Sequence, residues 1–302
     1  MQPRKPSASQ FVDIRGERHH VQTWGDPHAP PLVLLHGWMD VGASFQFLVD
    51  ALQRDWYAIA PDLRGFGRSA WQAQGYWFYD YIADLEALLN HFIAADEPVR
   101  LVGHSLGGNI VMGYAGVRPG RVARVVSLEG FGIPAETPDA APRKVAAWLA
   151  GIASPPTFRT YDSLAAVADK LQQKNPRLPR DKAEFLARHW AAEFPDGKAK
   201  LVSDPRHKLP FPHVYRMDEI YAMWRNVTAP ALWVAAEDSE IPRWLASHPE
   251  GEAGADGLEE VRRRIAHVPG ARLETVADAG HMLHHDQPER VAALIEPFLA
   301  QA

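Results

Sequence analysis

The chain has 302 residues, of which 46% are hydrophobic and 23% are charged, the composition of a globular protein. Lys and Arg total 32 against 37 Asp and Glu, and the net charge of −5 argues against nucleic-acid binding, which needs a strong positive field. The chain has no cysteine, which excludes disulfides, thiolate nucleophiles and Cys-ligated metal centres.

The sequence also lacks the usual membrane and export signals. No run reaches the roughly 18 uninterrupted apolar residues that a membrane span needs. The opening, residues 1–16, is basic but has no apolar core, so it does not predict a secretory signal. We therefore expect a cytoplasmic protein without a membrane span, and the sequence leaves the oligomeric state open.

Short apolar runs alternate with amphipathic stretches in the first part of the chain. Two early segments, FVDIRG and HHVQTWG, predict an antiparallel edge hairpin. Four later runs predict buried parallel strands, and three stretches between them predict helices. The strands are at 31–37, 56–62, 99–105 and 123–130, and the helices are at 43–55, 79–95 and 107–120. Strand and helix in this alternation predict a doubly wound sheet.

The alternation stops between about residues 132 and 226, where no clear strand run occurs. Helical patterns occupy 141–152, 163–174 and 180–194. Because a structureless loop of that length is implausible, the segment predicts an inserted helical module. The alternation then resumes with strands at 230–238 and 271–280 and helices at 257–268 and 288–302. We predict an α/β fold with a mostly parallel eight-stranded sheet, its core formed by 1–131 and 227–302.

The strongest chemical motif is Gly103-His104-Ser105-Leu106-Gly107, which reads G-x-S-x-G between a predicted strand and a predicted helix. Such a turn lifts one side chain out of the backbone and strains it. Gly103 and Gly107 fit because a side chain at either flanking position would collide. The motif predicts Ser105 as a nucleophile.

A serine hydroxyl needs a base, which we expect after the last strand. His281, in DAGHMLHH, follows that strand, and Gly280 permits the tight loop that aims its imidazole at Ser105. The neighbouring His284 and His285 are expected to cover this loop or to begin the last helix. They lack an ordered carboxylate pattern or an H-E-x-x-H helix, so we predict no metal site.

The histidine in turn needs a carboxylate to fix its tautomer, and the sequence offers two. Asp238 follows the strand 230–238 in AAEDSEIP. Glu129 ends the strand 123–130 in VVSLEGFG, where a carboxylate at the end of an apolar strand needs a partner. Both acids stay open on these grounds.

A tetrahedral oxyanion needs backbone donors. We expect one from the N–H of Leu106 and one from Trp38, in the loop after strand 31–37, where Gly37 permits close backbone approach. His36 is expected to brace this loop. The Gly-punctuated loop PDLRGFGRS (61–69), with Asp62 and Arg64, is expected to be structural.

The motifs HGW, PDLRGFGRS, GHSLGG and DAGHMLHH, in this order, resemble the α/β-hydrolase fold superfamily over residues 10–302. The resemblance implies that 132–226 is a helical cap over the active site. HGWMD, SLEGFGIP and DPRHKLPFPHVYR are similar to a serine hydrolase-like branch whose acid follows the sixth strand, which ranks Glu129 above Asp238. Dehalogenases and epoxide hydrolases of this fold use an aspartate where this chain has Ser105, so both activities are disfavoured.

The resulting functional hypothesis is a capped serine hydrolase that cleaves a small or medium ester, with a small-molecule substrate and no cofactor. Alternatives are cleavage of an amide, thioester, lactone or carbon–carbon bond, and a non-catalytic receptor or interaction scaffold. Large cap side chains are expected in the cap core or in an apolar acyl pocket: Trp148, Trp190, Trp224 and Phe158. Three polar residues, Arg206, His207 and Lys208, either bind a polar substrate end or form a solvated surface.

Overall fold

A computed structural model of the chain describes residues 1–73, 75–248 and 257–301. These residues contain ten strands: β1 (Ser7–Ile14), β2 (Glu17–Trp24), β3 (Pro31–Leu35), β4 (Tyr57–Pro61), β5 (Val99–His104), β6 (Val122–Leu128), β7 (Ala191–Glu193), β8 (Ala199–Leu201), β9 (Ala231–Ala236) and β10 (Arg272–Val276). They also contain eleven α-helices: α1 (Gln46–Ala51), α2 (Phe78–Phe92), α3 (Leu106–Val117), α4 (Ala141–Ala153), α5 (Leu164–Lys174), α6 (Arg180–Trp190), α7 (Met217–Arg225), α8 (Ile241–Ala246), α9 (Gly257–Ile265), α10 (Leu283–Asp286) and α11 (Pro288–Leu299).

Eight of the strands form one sheet in the order β1-β2-β4-β3-β5-β6-β9-β10. Strands β1 and β2 are an antiparallel hairpin, and β2 pairs with β4 in the antiparallel sense. Every other pair in the sheet is parallel. The predicted fold class, a mostly parallel eight-stranded sheet with an antiparallel edge, is therefore confirmed.

The central strands are apolar throughout because the sheet is covered on both faces. In β3, Val33 and Leu35 pack into one core with residues of α2, α3 and α9. Leu32 and Leu34 point to the opposite face and pack with residues of α1 and α11. All four side chains are buried, and burial of each such side chain stabilises the fold by about 1.5–3 kcal/mol.

The parallel strands β5, β6, β9 and β10 end at the same edge of the sheet. Ser105 follows β5 directly, and Glu129 follows β6 directly. His281 lies in the loop between β10 and α10. The topology therefore brings three distant parts of the chain together at the carboxyl edge, where open α/β sheets bind ligands.

The segment 132–226, between β6 and β9, is largely helical, but it also contains two strands that the sequence did not predict. Strands β7 and β8 form a small antiparallel hairpin, and the helix predicted over 180–194 ends at Trp190. A Pro-Asp-Gly turn closes the hairpin, with Gly197 at φ +81° and a Phe194 N–H to Lys198 O bond of 2.7 Å. Three-residue strands are too short to leave a periodic pattern in the sequence.

The helices α5 and α6 have their own small core, in which Val167, Leu171 and Leu186 pack with Phe47 of α1. Helix α7, also within 132–226, packs instead on α3 in the sheet core. Its Trp224 is fully buried, with the ring centroid 5.4 Å from that of Trp233 in β9. The division of the chain at 131 and 226 stays a prediction.

The structure contains helices that the sequence did not predict, and one predicted helix ends earlier than expected. Helices α7, α8 and α10 were not predicted, and the predicted helix 288–302 ends at Leu299, with residue 302 outside the described residues. Among the helices that the structure describes, none has the length and apolar character that a bilayer crossing requires.

The contact between α3 and α7 gives a stability prediction. A Cβ added at Gly116 would lie 2.1 Å from the backbone oxygen of Met223, so Gly116→Ala must push the two helices apart. We expect the free energy of unfolding to fall by about 1–3 kcal/mol in urea denaturation. Gly120→Ala is the matched control, because no atom lies within 4 Å of its added Cβ. Equal stability of the two variants would contradict this packing.

Candidate active site

Ser105 occupies the sharp turn between β5 and α3. Its backbone is in the left-handed region at φ +52° and ψ −112°, which is strained for a residue with a side chain. A Cβ at Gly103 would lie 2.1 Å from Gly107 O, and a Cβ at Gly107 would lie 2.1 Å from Leu35 O. Both glycines are therefore required where the motif has them, and the serine is held at the mouth of the turn.

His281 lies between Ser105 and Glu129. Its Nε2 is 3.1 Å from Ser105 Oγ, and its Nδ1 is 3.1 Å from Glu129 Oε2. A carboxylate accepts hydrogen bonds, so the neutral ring donates from Nδ1 and presents the Nε2 lone pair to the serine hydroxyl. This is the arrangement in which a histidine can withdraw the proton from a nucleophile.

Glu129 is buried at the end of β6, with its backbone at φ +58°. Its Oε1 accepts a hydrogen bond from the N–H of Ala236 at 2.8 Å, and its Oε2 accepts one from the hydroxyl of Ser239. These donors and His281 satisfy a carboxylate that burial would otherwise penalise strongly. The structure thus brings Glu129, of the two predicted acids, to the histidine.

Asp238 points away from this cluster. Its side chain is half exposed and pairs with Arg177 Nη2 at 2.6 Å. The N–H of Asp238 donates to Ala279 O, so the backbone at this position supports the loop before His281.

The loop that carries His281 is fixed by two residues that the sequence analysis missed. Asp286 accepts a hydrogen bond from the N–H of Gly280 at 2.9 Å and another from Asn175 Nδ2 at 2.6 Å. His104 Nε2 donates to the carbonyl oxygen of His281 at 2.8 Å. Burial holds the pKa of His104 well below its usual value, so this ring stays neutral. A histidine inside the G-x-S-x-G motif was the available sequence signal.

The predicted oxyanion donors lie beside the serine. Leu106 is the first residue of α3, so its N–H has no acceptor within the helix. A Cβ added at Gly37 would lie 3.3 Å from Ser105 Cβ, so the segment before Trp38 lies directly against the elbow. Trp38 and Leu106 line the same cavity as Ser105.

His36 braces the loop after β3, which is predicted to supply an oxyanion donor and which we call the oxyanion loop. Its Nδ1 donates to Gly37 O at 2.7 Å, and its Nε2 accepts from the N–H of Leu63 at 2.9 Å. The two ring nitrogens of His36 therefore bond to the backbones of two different loops, at Gly37 and at Leu63. Burial lowers the pKa of His36 from its ordinary value of 6.5 to about 4, so the ring is neutral at neutral pH.

Asp62 and Arg64, in the neighbouring loop, are structural as expected. Asp62 is buried and bonds with His20 and with the backbone of Gly42. Arg64 forms a buried ion pair with Asp84.

His284 and His285 lie in α10 and are buried. With Asp40 they form a cluster whose potential ligand atoms all lie within 4.8 Å of one another. His284 Nε2 is 4.0 Å from Asp40 Oδ2, whereas zinc ligands at about 2.0 Å from the metal lie roughly 3.4 Å apart. Asp40 already accepts hydrogen bonds from Ser44 and Trp190. This spacing does not fit zinc, and the absence of a metal site stays a prediction.

A cavity of about 220 Å³ opens above Ser105. Its walls are mostly apolar, and Arg206 is the only charged residue among the described residues that line it. The principal lining side chains are Trp77, Phe78, Ile133, Trp148, His207 and Phe211. Arg206 pairs with buried Asp204 at 3.3 Å, which partly neutralises it.

A model of the "Alpha/beta hydrolase family" matches residues 32–294. The chain belongs to the alpha/beta hydrolase family. It is 42% identical to "Lipase LipV" of Mycobacterium tuberculosis over 297 residues, which cover 93% of this chain and 97% of that protein. It is 26% identical to "Serine hydrolase-like protein" of Danio rerio over 286 residues, covering 92% and 84% of the two chains.

A solved structure, "Thioesterase Domain From Curacin Biosynthetic Pathway", has the same fold. It aligns with a TM-score of 0.82 and 22% identity, covering 96% of this chain and 99% of that one. These comparisons confirm the predicted superfamily. They relate this alpha/beta hydrolase to serine hydrolases and lipases and leave its substrate open.

In this alpha/beta hydrolase, the side chains of the predicted cap divide between three places. Trp148 lines the cavity above Ser105, and His207 stacks between Phe66 and Tyr76 at 3.7 Å from each ring centroid. Phe158, Trp190 and Lys208 line a different cavity, and Trp224 belongs to the sheet core.

The neutral His36 predicts a pH effect on stability. Its pKa is about 4 in the folded chain against 6.5 when unfolded, so between these values the unfolded chain binds the extra proton. The free energy of unfolding should therefore fall by about 3 kcal/mol on this account as the pH drops through that window. His36→Gln should lose this dependence. The measurement is the free energy of unfolding of the wild type minus that of the variant, taken at pH 7 and again at pH 4.

Burial raises the pKa of Asp40 to about 7, so protonation of Asp40 stabilises the folded chain as the pH falls. Asp40 is present in both proteins, so its effect cancels in the difference between them. His28→Gln, which changes an exposed histidine, is the control. A wild-type-minus-His36→Gln difference that does not change with pH would contradict the neutral, buried ring.

Proposed function

We propose that the protein is a serine hydrolase that cleaves a small or medium carboxylic ester through an acyl-enzyme. The observation that supports this most is the hydrogen-bonded chain from Ser105 through His281 to Glu129, with 3.1 Å at each step. The strained elbow and the neighbouring backbone donors supply the other parts that acyl transfer needs.

In the first half-reaction, Ser105 Oγ attacks the ester carbonyl carbon while its proton passes to His281 Nε2. Glu129 stays ionised and stabilises the imidazolium that forms. The negative charge that develops on the carbonyl oxygen is stabilised by the N–H groups of Leu106 and Trp38. When the tetrahedral intermediate collapses, His281 returns the proton to the leaving alcohol oxygen, and the acyl group remains on Ser105.

In the second half-reaction, water attacks the acyl carbon and gives its proton to His281. A second tetrahedral intermediate collapses, the proton goes to Ser105 Oγ, and the carboxylic acid leaves. Every step uses side chains and backbone amides of this chain, so the proposal requires no cofactor.

The size and the lining of the cavity support the substrate class. Its volume of about 220 Å³ is below the roughly 300–1,000 Å³ of sites for drug-sized ligands. The walls are mostly aromatic, aliphatic and proline side chains, which suit an apolar acyl chain. The 42% identity to a protein named lipase supports an ester bond among the acyl bonds that this chemistry can cleave.

A covalent probe tests the nucleophile. We expect a fluorophosphonate to label the protein once, at Ser105 by peptide mass analysis. Ser105→Ala should lose the label and should lower p-nitrophenyl ester hydrolysis by about 10⁴-fold or more. Ser154→Ala, at an exposed serine, is the control and should behave as wild type. A folded wild-type protein that neither reacts with the probe nor hydrolyses the esters would favour the non-catalytic scaffold.

The two acids can be separated by isosteric amides. Glu129→Gln should lower kcat by about 10³- to 10⁴-fold, because an amide can hold the wrong histidine tautomer and cannot stabilise the imidazolium. Asp238→Asn should change kcat little, since Asp238 pairs with Arg177 rather than with His281. A larger loss in Asp238→Asn than in Glu129→Gln would reverse the assignment.

A further inference from the structure

A second cavity, of about 240 Å³, lies between the cap and the oxyanion loop. Trp38 lines both this cavity and the one above Ser105. The indole Nε1 of Trp38 donates to His207 O at 3.3 Å, so the ring stands between the loop and the cap. The two cavities therefore share the Trp38 side chain as a wall, and a substrate that occupies both must extend past it.

The described residues that line this second cavity include four cations and no carboxylate. The cations are Arg159, Lys170, Lys174 and Lys208. Within residues 1–73, 75–248 and 257–301, none of the four forms an ion pair. Such a cluster is not a result of composition, because the chain as a whole carries a charge of −5. We call these four residues and the cavity they line the basic cleft.

The nearest alternative partners are engaged elsewhere. Asp169, the neighbour of Lys170 in α5, pairs with Arg180. Lys208 Nζ lies 4.5 Å from the ring centroid of Phe158, and the guanidinium of Arg159 lies 4.5 Å from that of Tyr161. Ring faces attract a cation but do not neutralise it. The cleft therefore keeps a concentrated positive field, which attracts anions and raises their local concentration.

We propose that the basic cleft binds the phosphate-bearing end of the substrate, on the leaving-group side of the scissile bond. Four unpaired cations favour a polyanion, because a single carboxylate would neutralise only one of them. A phosphate group carries up to two charges and three strong acceptor oxygens, and lysine is a frequent phosphate ligand. The apolar walls, which include Trp190 and Leu171, suit the organic part of such a group.

The assignment of this ligand to the substrate rests on the proposed function, because it places the acyl group in the cavity above Ser105. The two cavities also differ in charge. Arg206, the charged residue of the first cavity, is paired with Asp204. The apolar half of a substrate thus matches the first cavity, and its anionic half matches the basic cleft.

The test uses coenzyme A as a phosphate-bearing thiol and pantetheine as the same thiol arm without the phosphates and the adenosine. Binding is measured by calorimetry in the full-length Ser105→Ala protein, where no hydrolysis takes place. We expect coenzyme A to bind about tenfold or more tightly than pantetheine, and its affinity to fall as salt is raised. Lys170→Gln with Lys174→Gln should weaken coenzyme A by about tenfold or more and leave pantetheine unchanged.

The matched control is Arg188→Gln with Lys198→Gln, which removes two exposed cations of the cap outside the cleft. It should leave the affinity for coenzyme A unchanged. Equal affinity for coenzyme A and pantetheine, or an equal loss in both double variants, would overturn the basic cleft. Hydrolysis of p-nitrophenyl esters by the wild type is scored separately, so a failed esterase proposal is distinguished from a failed cleft.

Discussion

The arrangement of the site depends on one steric constraint, the left-handed backbone of Ser105. A residue with a side chain is strained in this backbone conformation, and it keeps the conformation only because the packing around the turn fixes it. β5 fixes the turn from one side, and the N–H of Ser105 itself donates to Leu128 O at 2.7 Å. Gly103 and Gly107 let the strand and the helix approach within distances that no side chain permits. The hydroxyl is therefore presented by packing rather than by its own preference.

The carboxylate of Glu129 adds an electrostatic constraint of the same kind. It is buried beside β9, where an unpaired charge would cost several kcal/mol. The backbone N–H of Ala236 and the hydroxyl of Ser239 offset that cost, and the remaining direction of the carboxylate is taken by His281. The acid is thus held by two strands, and the histidine is oriented by a group that has little freedom to move.

The sheet and the elbow are readable from the sequence because their determinants are local. Apolar runs punctuated by glycine mark the strands, and G-x-S-x-G marks the turn. The choice between Glu129 and Asp238 is not local: both follow adjacent strands, and only tertiary packing buries one and exposes the other. Helix α7 has an amphipathic pattern like that of a cap helix, yet it packs on α3. The supports from Asp286 and His104 arise only when distant loops meet.

The predicted cap, residues 132–226, is hydrogen-bonded to both loops that carry the proposed chemistry. Trp190 donates to Asp40 at 2.9 Å, close to the oxyanion loop, and Asn175 donates to Asp286 at 2.6 Å, which supports the loop of His281. The basic cleft lies between these two attachments, and Trp190 lines it. A ligand bound there touches the same elements that position Trp38 and His281. Binding energy from such a ligand can act on the distant reacting bond only if the ligand's affinity differs between arrangements of these contacts.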